Sequence, residues 1–263
     1  MSHLIVEGVR HEFTARRSHV VALDDVEMSI GPGRLAALIG PSGCGKSTLL
    51  RLMADLLQPT RGTVRIGGRP ASELRREQQI GFVFQDPTLL PWRSVVDNVR
   101  LPLQLGGRTS GFAWMTPAEL VELVGLGGFE DARPHQLSGG MRQRVAIARA
   151  LVLQPQVLLM DEPFGALDEI TRQRMNLELL DIWARAEVTA VLVTHSISEA
   201  VLMADEVYVM SARPGRIVER IEIDLPRPRS LEVMQEPRFF ELENRIRRGL
   251  FDHAAAPAVR AAV

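Results

Sequence analysis

A glycine-rich segment at residues 40–47 has the residue types and the spacing that bind nucleotide phosphates. It reads Gly-Pro-Ser-Gly-Cys-Gly-Lys-Ser and fits the pattern G-x-x-x-x-G-K-[ST]. Glycines allow several backbone N–H groups to point at one centre, where phosphate oxygens can accept from them. The Lys46 ammonium is expected to bind the β- and γ-phosphates, and the Ser47 hydroxyl a magnesium ion. The predicted nucleotide-binding residues of this segment are Gly40, Pro41, Ser42, Gly43, Cys44, Gly45, Lys46, Ser47 and Thr48.

The flanking sequence predicts the strand–loop–helix arrangement that this chemistry needs. A short apolar run, Leu35–Ile39, predicts a buried strand, and apolar residues at helical spacing between positions 49 and 57 predict a helix. The helix is expected to begin near Lys46, so that its positive dipole end faces the phosphates. Cys44 is the single cysteine of the chain. We interpret it as a small, tolerated side chain rather than as a redox switch of ATP binding.

A second apolar run, Val157–Met160, predicts a buried strand that ends in two adjacent carboxylates, Asp161 and Glu162. Open α/β sheets bind ligands at the carboxyl ends of their strands. In a nucleotide site Asp161 would organise the magnesium ion and Glu162 would polarise the attacking water. The alternative is that both carboxylates cap a following helix. The phosphate loop upstream favours the catalytic interpretation.

Residues 137–144, Leu-Ser-Gly-Gly-Met-Arg-Gln-Arg, predict a second phosphate-binding surface. Ser138, Gly139 and Gly140 precede a predicted helix at residues 141–153, and helix N-termini bind anions. One nucleotide has no obvious need of two such surfaces from the same chain. The spare surface suggests that two copies of the chain meet around the nucleotide.

In their order along the chain these segments resemble the ATP-binding cassette (ABC) family, over roughly residues 4–225. The matching motifs are the phosphate loop, Gln85 in Phe-Val-Phe-Gln-Asp, the signature at residues 137–143, Asp161-Glu162, Gly165-Ala-Leu-Asp168 and His195. One departure is visible at Met141, where many relatives carry Gln. A hydrogen bond from that side chain is therefore unavailable, whereas the backbone and Ser138 contacts remain possible.

The resemblance implies that the ligands are ATP and Mg²⁺ and that two copies pack head to tail. Each ATP would lie between one phosphate loop and the Ser138-Gly139-Gly140 segment of the other copy. The implied catalytic residues are Glu162 as general base, His195 at the γ-phosphate, Gln85 at the magnesium ion or attacking water, and Lys46. The implied magnesium ligands are Ser47, Gln85 and Asp161. Asp168 would communicate across the dimer.

Structural interpretations compete with functional ones at Phe13, at His195 and at the two arginines of the signature helix. Phe13 is the best match to the aromatic side chain that stacks on adenine, but it could equally belong to the core. A lone histidine after an apolar strand is more often buried and hydrogen-bonded, and only its place among the motifs makes His195 a catalytic candidate. Arg142 and Arg144 are expected to form ion pairs on their helix rather than to contact nucleotide.

Apolar strands that alternate with helices predict an α/β layered core with a mostly parallel sheet. The expected fold class is a phosphate-loop NTPase core of ABC-cassette type with an inserted helical subdomain and a short C-terminal extension. We predict an ATP-binding domain at residues 1–225, which contains the helical subdomain at about residues 87–155. The extension, residues 226–263, begins at Pro226-Arg-Pro228 and contains a helix at residues 238–251. The apolar side of this helix would pack on its own domain or a dimer mate, or alternatively on a membrane or partner.

Composition excludes several other classes of protein. The chain has 263 residues, 46% of them hydrophobic, and a formal net charge of -1, so no global charge steers it toward nucleic acid or anionic lipid. No apolar stretch approaches the roughly 20 residues that span a bilayer, and residues 1–10 lack the pattern of a signal peptide. A single cysteine fits a reducing compartment. If the protein serves a membrane, it does so through a partner.

Two further segments narrow the resemblance to one group of importers. Leu89-Leu-Pro-Trp92 and Ser211-Ala-Arg-Pro-Gly-Arg216 resemble the nitrate, sulfonate and taurine importer group. Among substrates we place aliphatic sulfonates first, followed by taurine, nitrate and pyrimidine precursors of thiamine. The surface around residues 85–99 would receive a short helix from a membrane subunit, the alternative being that its apolar residues pack inside the helical subdomain.

The expected function is therefore that of an ATPase coupled to transmembrane transport, in a bacterial ABC importer. The expected partners are a second copy of the chain, two transmembrane permease subunits and, indirectly, a substrate-binding protein, with no nucleic acid. The expected location is the cytoplasmic face of the inner membrane, as a peripheral protein. The alternative is a soluble ABC-family ATPase with a non-transport, mechanical or regulatory role.

Overall fold

The computed structural model of the protein describes residues 2–15, 18–106 and 115–254. Residues 107–114, within the predicted helical subdomain, and residues 255–263 of the predicted C-terminal extension lie outside the described part of the chain. The strands are β1 (Leu4–Ala15), β2 (Ser18–Ile30), β3 (Leu35–Ile39), β4 (Arg61–Ile66), β5 (Arg69–Pro70), β6 (Ile80–Val83), β7 (Val157–Asp161), β8 (Thr189–Val193), β9 (Glu206–Met210) and β10 (Ile217–Glu222). The helices are α1 (Lys46–Met53), α2 (Ala71–Arg76), α3 (Val95–Leu105), α4 (Pro117–Leu123), α5 (Gly139–Leu151), α6 (Glu169–Ala186), α7 (Ile197–Met203) and α8 (Pro237–Ala254).

The central sheet has six strands in the order β10-β9-β3-β8-β7-β6. All neighbouring strands are parallel except β10, which pairs antiparallel with β9 at one edge. The expected mostly parallel α/β sheet is confirmed. Because parallel strands end at a common edge, the segments that follow β3, β6, β7 and β8 meet there.

Both faces of this sheet are covered, as the unbroken apolar runs predict. Along β3, Leu35, Ala37 and Ile39 belong to the core shared with α3 to α8. Ala36 and Leu38 point the other way, into the core shared with α1 and a second sheet. The protein therefore has three layers, with the central sheet in the middle.

The second sheet was not predicted from the sequence. It is antiparallel, with the order β2-β1-β4-β5, and its long strands β1 and β2 carry several register shifts. Such irregularities interrupt the alternation of apolar and polar residues that identifies a strand. This sheet places Phe13, on β1, beside the phosphate loop.

The helix after the phosphate loop is shorter than predicted. It starts at Lys46, as expected, but ends at Met53, and Leu56 is exposed. Asp55 has a left-handed backbone (φ 55°), and the amides of Leu56 and Leu57 both donate to the Arg51 carbonyl, which turns the chain out of the helix. Residues 56 and 57 therefore continue the apolar spacing without continuing the helix.

The middle of the chain is helical, as predicted. Buried residues of α3, α4 and α5, such as Val99, Leu120 and Ile147, share one core with the central sheet. The helical residues therefore have no separate core, and the proposed subdomain limits at about 87–155 stay a prediction. In the part of the chain that the structure describes, no helix is both long and apolar enough to cross a membrane.

The predicted C-terminal helix is present as α8, and its apolar side packs on its own chain. Phe239, Leu242 and Ile246 are buried against α7, β9 and β10, and Leu250 is partly buried there. Of the interpretations open from the sequence, packing on its own domain is the one that the structure supports.

Candidate functional site

Four predicted site segments meet at the carboxyl edge of the central sheet. The phosphate loop follows β3, Gln85 follows β6, the acidic pair ends β7, and His195 follows β8. Since β8 lies between β3 and β7, the histidine segment is flanked by the phosphate loop and the acidic pair. The Thr194 N–H, directly before His195, donates to the Leu38 carbonyl at 3.2 Å, so positions 156 residues apart are neighbours at this edge.

The phosphate loop has a backbone that requires glycine. Gly45 precedes α1 with φ 109°, and a Cβ there would lie 2.7 Å from Leu23 Cδ2. Gly43 is also left-handed, with φ 74°. These conformations let the chain turn tightly into the first turn of α1, where backbone N–H groups without helical partners can bind an anion.

Lys46 is almost fully buried within the loop, at 7% exposure. Its ammonium donates to the Gly40 carbonyl at 2.8 Å and to the Pro41 carbonyl at 3.1 Å. Both acceptors are neutral, so the positive charge remains available to an anion in the loop. Such a charge, held by a backbone cradle, is suited to phosphate oxygens.

Ser47 and Asp161 form the part of the site that fits a magnesium ion. The Ser47 hydroxyl donates to Asp161 Oδ1 at 2.8 Å, which joins α1 to the end of β7. Burial raises the pKa of the Asp161 carboxyl, and the Ser47 hydrogen bond opposes that shift. Both are oxygen donors, the ligand type that Mg²⁺ prefers.

Within residues 2–15, 18–106 and 115–254, no three His, Cys, Asp or Glu side chains gather as a metal site. Magnesium sites commonly use one or two protein oxygens and complete the octahedron with substrate phosphates and water. Ser47 and Asp161 therefore fit an ion that arrives with a phosphate ligand better than they fit a permanent metal centre.

Glu162 is the point at which the predicted catalytic side chains converge. Its Oε2 lies 3.4 Å from His195 Nδ1 and 3.5 Å from Gln85 Nε2. The backbone at Glu162 is left-handed (φ 45°), and its N–H donates to the Val193 carbonyl at 3.0 Å. A non-glycine residue in this region is uncommon and is often found at functional sites. A carboxylate held in this way can accept a proton from a water molecule near the phosphate loop.

The segment that carries His195 is fixed by buried side chains. The Thr194 hydroxyl donates to the Glu199 carboxyl, and the Ser196 N–H donates to Thr194 Oγ1 at 2.9 Å. Burial raises the pKa of Glu199, and the Thr194 hydrogen bond opposes this. The roles of Thr194 and Glu199 were not predicted from the sequence, where only their nearness to His195 points to them.

A cavity of about 360 Å³ lies between the phosphate loop and the second sheet. Its lining residues are Phe13, Val20, Ala22, Ser42, Gly43, Gly45, Lys46, Ser47, Thr48, Glu162 and Arg213. Phe13 is 47% exposed and meets His11 edge to face, with ring centroids 4.6 Å apart. An exposed aromatic ring at one end and a phosphate cradle at the other match the two ends of a nucleotide.

The signature segment starts α5, and its glycines belong to the helix rather than preceding it. Ser138 is the N-cap, and its Oγ accepts from the Met141 N–H at 3.2 Å, whereas Gly139 and Gly140 form the first turn. None of the three lines the cavity at the phosphate loop. The predicted second phosphate-binding surface is therefore separate from the phosphate loop within one chain.

Gln143 connects this helix to the catalytic edge. Its side-chain amide donates to the Phe84 carbonyl at 3.0 Å, and it is 3% exposed. Since Phe84 directly precedes Gln85, this hydrogen bond links α5 to the segment that carries Gln85. Gln143 belongs to the predicted signature, but no role for its side chain was predicted from the sequence.

The arginines of α5 act differently from expectation. Arg144 forms its ion pair with Glu178 of α6 at 2.6 Å, so the pair joins two helices instead of lying on one. Arg142 donates to the Leu137 carbonyl at 2.7 Å. The expectation of ion pairs on the helix itself was wrong because i to i+4 spacing on α5 offers these residues no acid.

Two other predicted residues have clear local roles. Asp168 is the N-cap of α6, and its Oδ1 accepts from the Thr171 N–H at 3.0 Å, which lowers the pKa of Asp168. Cys44 is 1% exposed, and burial raises the pKa of its thiol while Lys46 acts in the opposite direction. A buried, protonated thiol is unreactive, which agrees with a small packing side chain.

Comparison with known proteins gives a consistent set of relatives. The sequence model of the ABC transporter family matches residues 23–165, more than half of the chain. The chain is 42% identical over 250 residues to the nitrate import ATP-binding protein NrtD of Synechocystis sp., covering 93% of each protein. It is also 42% identical over 247 residues to the taurine import ATP-binding protein TauB of Burkholderia pseudomallei, covering 92% of this chain and 94% of that protein.

Solved structures agree with the sequence relatives. The dimeric, post-hydrolysis structure of the ATP-binding cassette MJ0796 bound to ADP and Pi superposes with a TM-score of 0.73 at 30% identity. The match covers 85% of this chain and 100% of that chain. A second dimeric structure of the same cassette matches with an equal TM-score at 31% identity.

Proposed function

The chain belongs to the ABC transporter family, and from that membership we propose that it powers a bacterial importer of small anions such as sulfonates, taurine or nitrate. It is an ATPase, the ATP-binding subunit of an ABC importer, and it is related to the ATP-binding proteins of nitrate and taurine import. The observation that best supports ATP hydrolysis is the approach of Gln85 and His195 to one oxygen of Glu162, next to the phosphate loop.

We assign the chemistry of hydrolysis to these groups. Glu162 accepts a proton from the attacking water, and Gln85 and His195 orient the Glu162 carboxylate and the reacting groups. Lys46 and the N–H groups of the loop balance the negative charge of the phosphates. Ser47 and Asp161, with Gln85, would hold a magnesium ion, which when bound neutralises charge on the phosphate oxygens.

The second copy completes the proposed site. Ser138, Gly139 and Gly140 lie outside the cavity of their own chain, and helix α5 offers an N-terminus to a phosphate. The related cassette MJ0796 forms dimers in its solved structures. A head-to-tail dimer would bring the signature of one copy over the phosphate loop of the other.

Phe13 is proposed to stack on the adenine ring. Replacing it with Ala should weaken ATP binding by roughly five- to hundredfold, because stacking of a base on an aromatic side chain contributes about 1–3 kcal/mol. Phe13→Tyr, which keeps the ring, should bind ATP almost as the wild type does. Calorimetric titration measures both affinities. Equal affinity of Phe13→Ala and wild type for ATP would show that Phe13 does not stack on adenine and only packs within the protein.

We propose that a groove beside Gln85 receives a helix of a permease subunit. The groove has a volume of about 430 Å³, and its apolar lining includes Phe82, Phe84, Leu101, Pro102, Leu105 and Leu153. Arg149 forms one wall and donates to the Pro87 carbonyl at 2.7 Å. A helix seated here would touch Phe84, directly before Gln85, and Thr88, three residues after it, so that docking and hydrolysis could be coupled.

The residues at 89–92 divide between core and surface. Leu89 packs against the core, and the buried Asn98 side chain holds both the N–H and the carbonyl of Leu90 at 2.8 and 3.2 Å. Trp92 is 69% exposed. Of the apolar residues first considered for docking, Trp92 is therefore the strongest candidate to contact a partner.

Trp92→Ala should reduce co-purification with the permease and reduce transport before it affects nucleotide binding. Buried tryptophans at interfaces commonly contribute at least about 2 kcal/mol, which corresponds to roughly thirtyfold in affinity. Phe251→Ala is a matched control, because Phe251 is 71% exposed on the distant helix α8. Transport by Trp92→Ala at the wild-type rate would show that Trp92, which does not line the groove itself, makes no contact that the permease needs.

The transported substrate is proposed from kinship alone, because a cassette does not contact the cargo. The importers of the two relatives carry nitrate and taurine by name. We keep aliphatic sulfonates first, then taurine, nitrate and pyrimidine precursors of thiamine. A substrate-binding protein and the permease would select among them, with the chain at the cytoplasmic face of the inner membrane.

Affinity purification of the tagged chain from detergent-solubilised membranes, followed by mass spectrometry, tests the proposal. Recovery of a polytopic membrane protein is the expected outcome, and its associated binding protein can then be tested with the four substrate classes. Recovery of ribosomes, of DNA or of the chain alone would reject the importer and leave a soluble ATPase with a mechanical or regulatory role.

A further inference from the structure

The turn between β9 and β10, residues 211–216, is held in shape by hydrogen bonds within it. The Ser211 N–H donates to the Arg216 carbonyl at 3.0 Å, and Ser211 Oγ accepts from the Arg216 N–H at 3.1 Å. The same hydroxyl is 3.0 Å from the Ala212 carbonyl and 3.1 Å from the Pro214 carbonyl. Ser211 is 8% exposed. These bonds fix how the turn presents the side chain at its tip, Arg213.

The turn is attached to the second sheet. The Gly215 N–H donates to the Ala22 carbonyl at 2.9 Å, and the Asp24 N–H donates to the Gly215 carbonyl at 3.1 Å. Arg216 adds an ion pair with Asp24. A Cβ at Gly215 would lie 2.1 Å from the Cys44 carbonyl oxygen, so the turn also lies tightly against the phosphate loop.

Arg213 extends from this turn to the nucleotide cavity. Its guanidinium donates to the Gly43 carbonyl at 3.1 Å, and the side chain lines the cavity together with Phe13 and Lys46. A guanidinium has five N–H donors, and Gly43 accepts from only one. Among the described residues, no carboxylate forms an ion pair with Arg213, whereas Arg216, three positions along, pairs with Asp24.

The positive charge of Arg213 favours an anionic ligand in the cavity. The cavity is lined by two cations, Lys46 and Arg213, and one anion, Glu162. An arginine without a carboxylate partner next to a phosphate loop can form charge-assisted bonds to phosphate oxygens. The phosphate-loop motif supplies Lys46 but gives no reason for a second cation from a turn 170 residues later.

We propose that Arg213 is a nucleotide-binding residue, whose guanidinium donates to the phosphate chain of ATP while it holds the Gly43 carbonyl. The proposal rests on the ATPase function. It gives the Ser-Ala-Arg-Pro-Gly-Arg segment a chemical role: the β9–β10 turn joins the central sheet, the second sheet and the phosphate loop, and brings a cation to the ligand that lies between them.

The test compares affinities for a non-hydrolysable ATP analogue and for adenosine, the latter by displacement of a fluorescent nucleotide. Arg213→Gln should weaken binding of the analogue about five- to tenfold, as for loss of one partly exposed charge-assisted hydrogen bond. The loss should shrink as salt is raised, and Arg213→Lys should restore most of the affinity. Adenosine, which has no phosphates, should bind Arg213→Gln and wild type equally.

Arg247→Gln is the matched control, because it removes an exposed arginine on α8 that does not line the cavity. It should bind the analogue as the wild type does. Wild-type affinity in Arg213→Gln would overturn the proposal, as would an equal loss in Arg247→Gln or an equal loss for adenosine. Failure of the wild-type protein to bind the analogue would instead reject the ATPase function, so the two failures are distinguishable.

Discussion

Glu162→Gln should abolish most ATP hydrolysis while ATP binding stays close to that of the wild type. The amide cannot accept the proton of the attacking water, yet it keeps the size and hydrogen-bonding reach of the carboxylate. Loss of a positioned general base is expected to lower turnover roughly 10²- to 10⁴-fold. Phosphate release measures turnover, and calorimetry measures the affinity for ATP.

The same variant should accumulate as a dimer with ATP trapped in it, visible as an earlier peak in size-exclusion chromatography. ATP held between a phosphate loop and the partner's signature would link the two copies until it is hydrolysed. Glu122→Gln, an exposed carboxylate on α4, is the matched control and should behave as wild type. Near-normal hydrolysis by Glu162→Gln would remove Glu162 from the role of base and leave Gln85 and His195 without a shared partner.

The catalytic edge could be predicted from the sequence because each of its parts is local. Leu35–Ile39 and Val157–Met160 are continuous apolar runs followed by predicted site residues, and the structure has strands at Leu35–Ile39 and Val157–Asp161. Once both runs are taken as parallel strands, their carboxyl ends must share an edge. Physical reasoning therefore brings Lys46 and Asp161 together without knowledge of the strand order.

The cavity wall opposite the phosphate loop could not be predicted in the same way. Val20 and Ala22 are on β2, whose pairing with β1 shifts register three times, so no regular alternation marks which residues face the ligand. Phe13 was found only by family resemblance. Long-range pairing of bulged antiparallel strands is decided by packing of the whole sheet, which a local pattern does not record.

Residues that hold the site segments in place through hydrogen bonds were also not predicted from the sequence. Gln143 reaches the Phe84 carbonyl, and Glu199 fixes the segment of His195 through Thr194. Each is an ordinary polar residue at an ordinary helical position in the sequence. Their roles depend on which strand end lies opposite, so they become visible only with the strand order β8-β7-β6.

Lys46→Ala should weaken ATP binding itself, by roughly ten- to hundredfold, since it removes a charge-assisted hydrogen bond to the phosphates from a buried loop. The effect differs from that of Glu162→Gln, which leaves binding intact. Calorimetric titration with ATP separates the two. Unchanged affinity in Lys46→Ala would contradict the role of this ammonium in the phosphate loop.

Lys46→Arg gives the sharper comparison, because Lys46 is the single lysine among the 31 Lys and Arg residues of the chain. The chain uses arginine at every other cationic position, so the lysine reflects a need of this loop. An ammonium fits between the Gly40 and Pro41 carbonyls at 2.8 and 3.1 Å, whereas a planar guanidinium is wider and donates in a fixed fork. Lys46→Arg should therefore keep the charge yet bind ATP more weakly than wild type. If it bound equally well, charge alone would account for the contribution of Lys46, and the geometry of the loop would not.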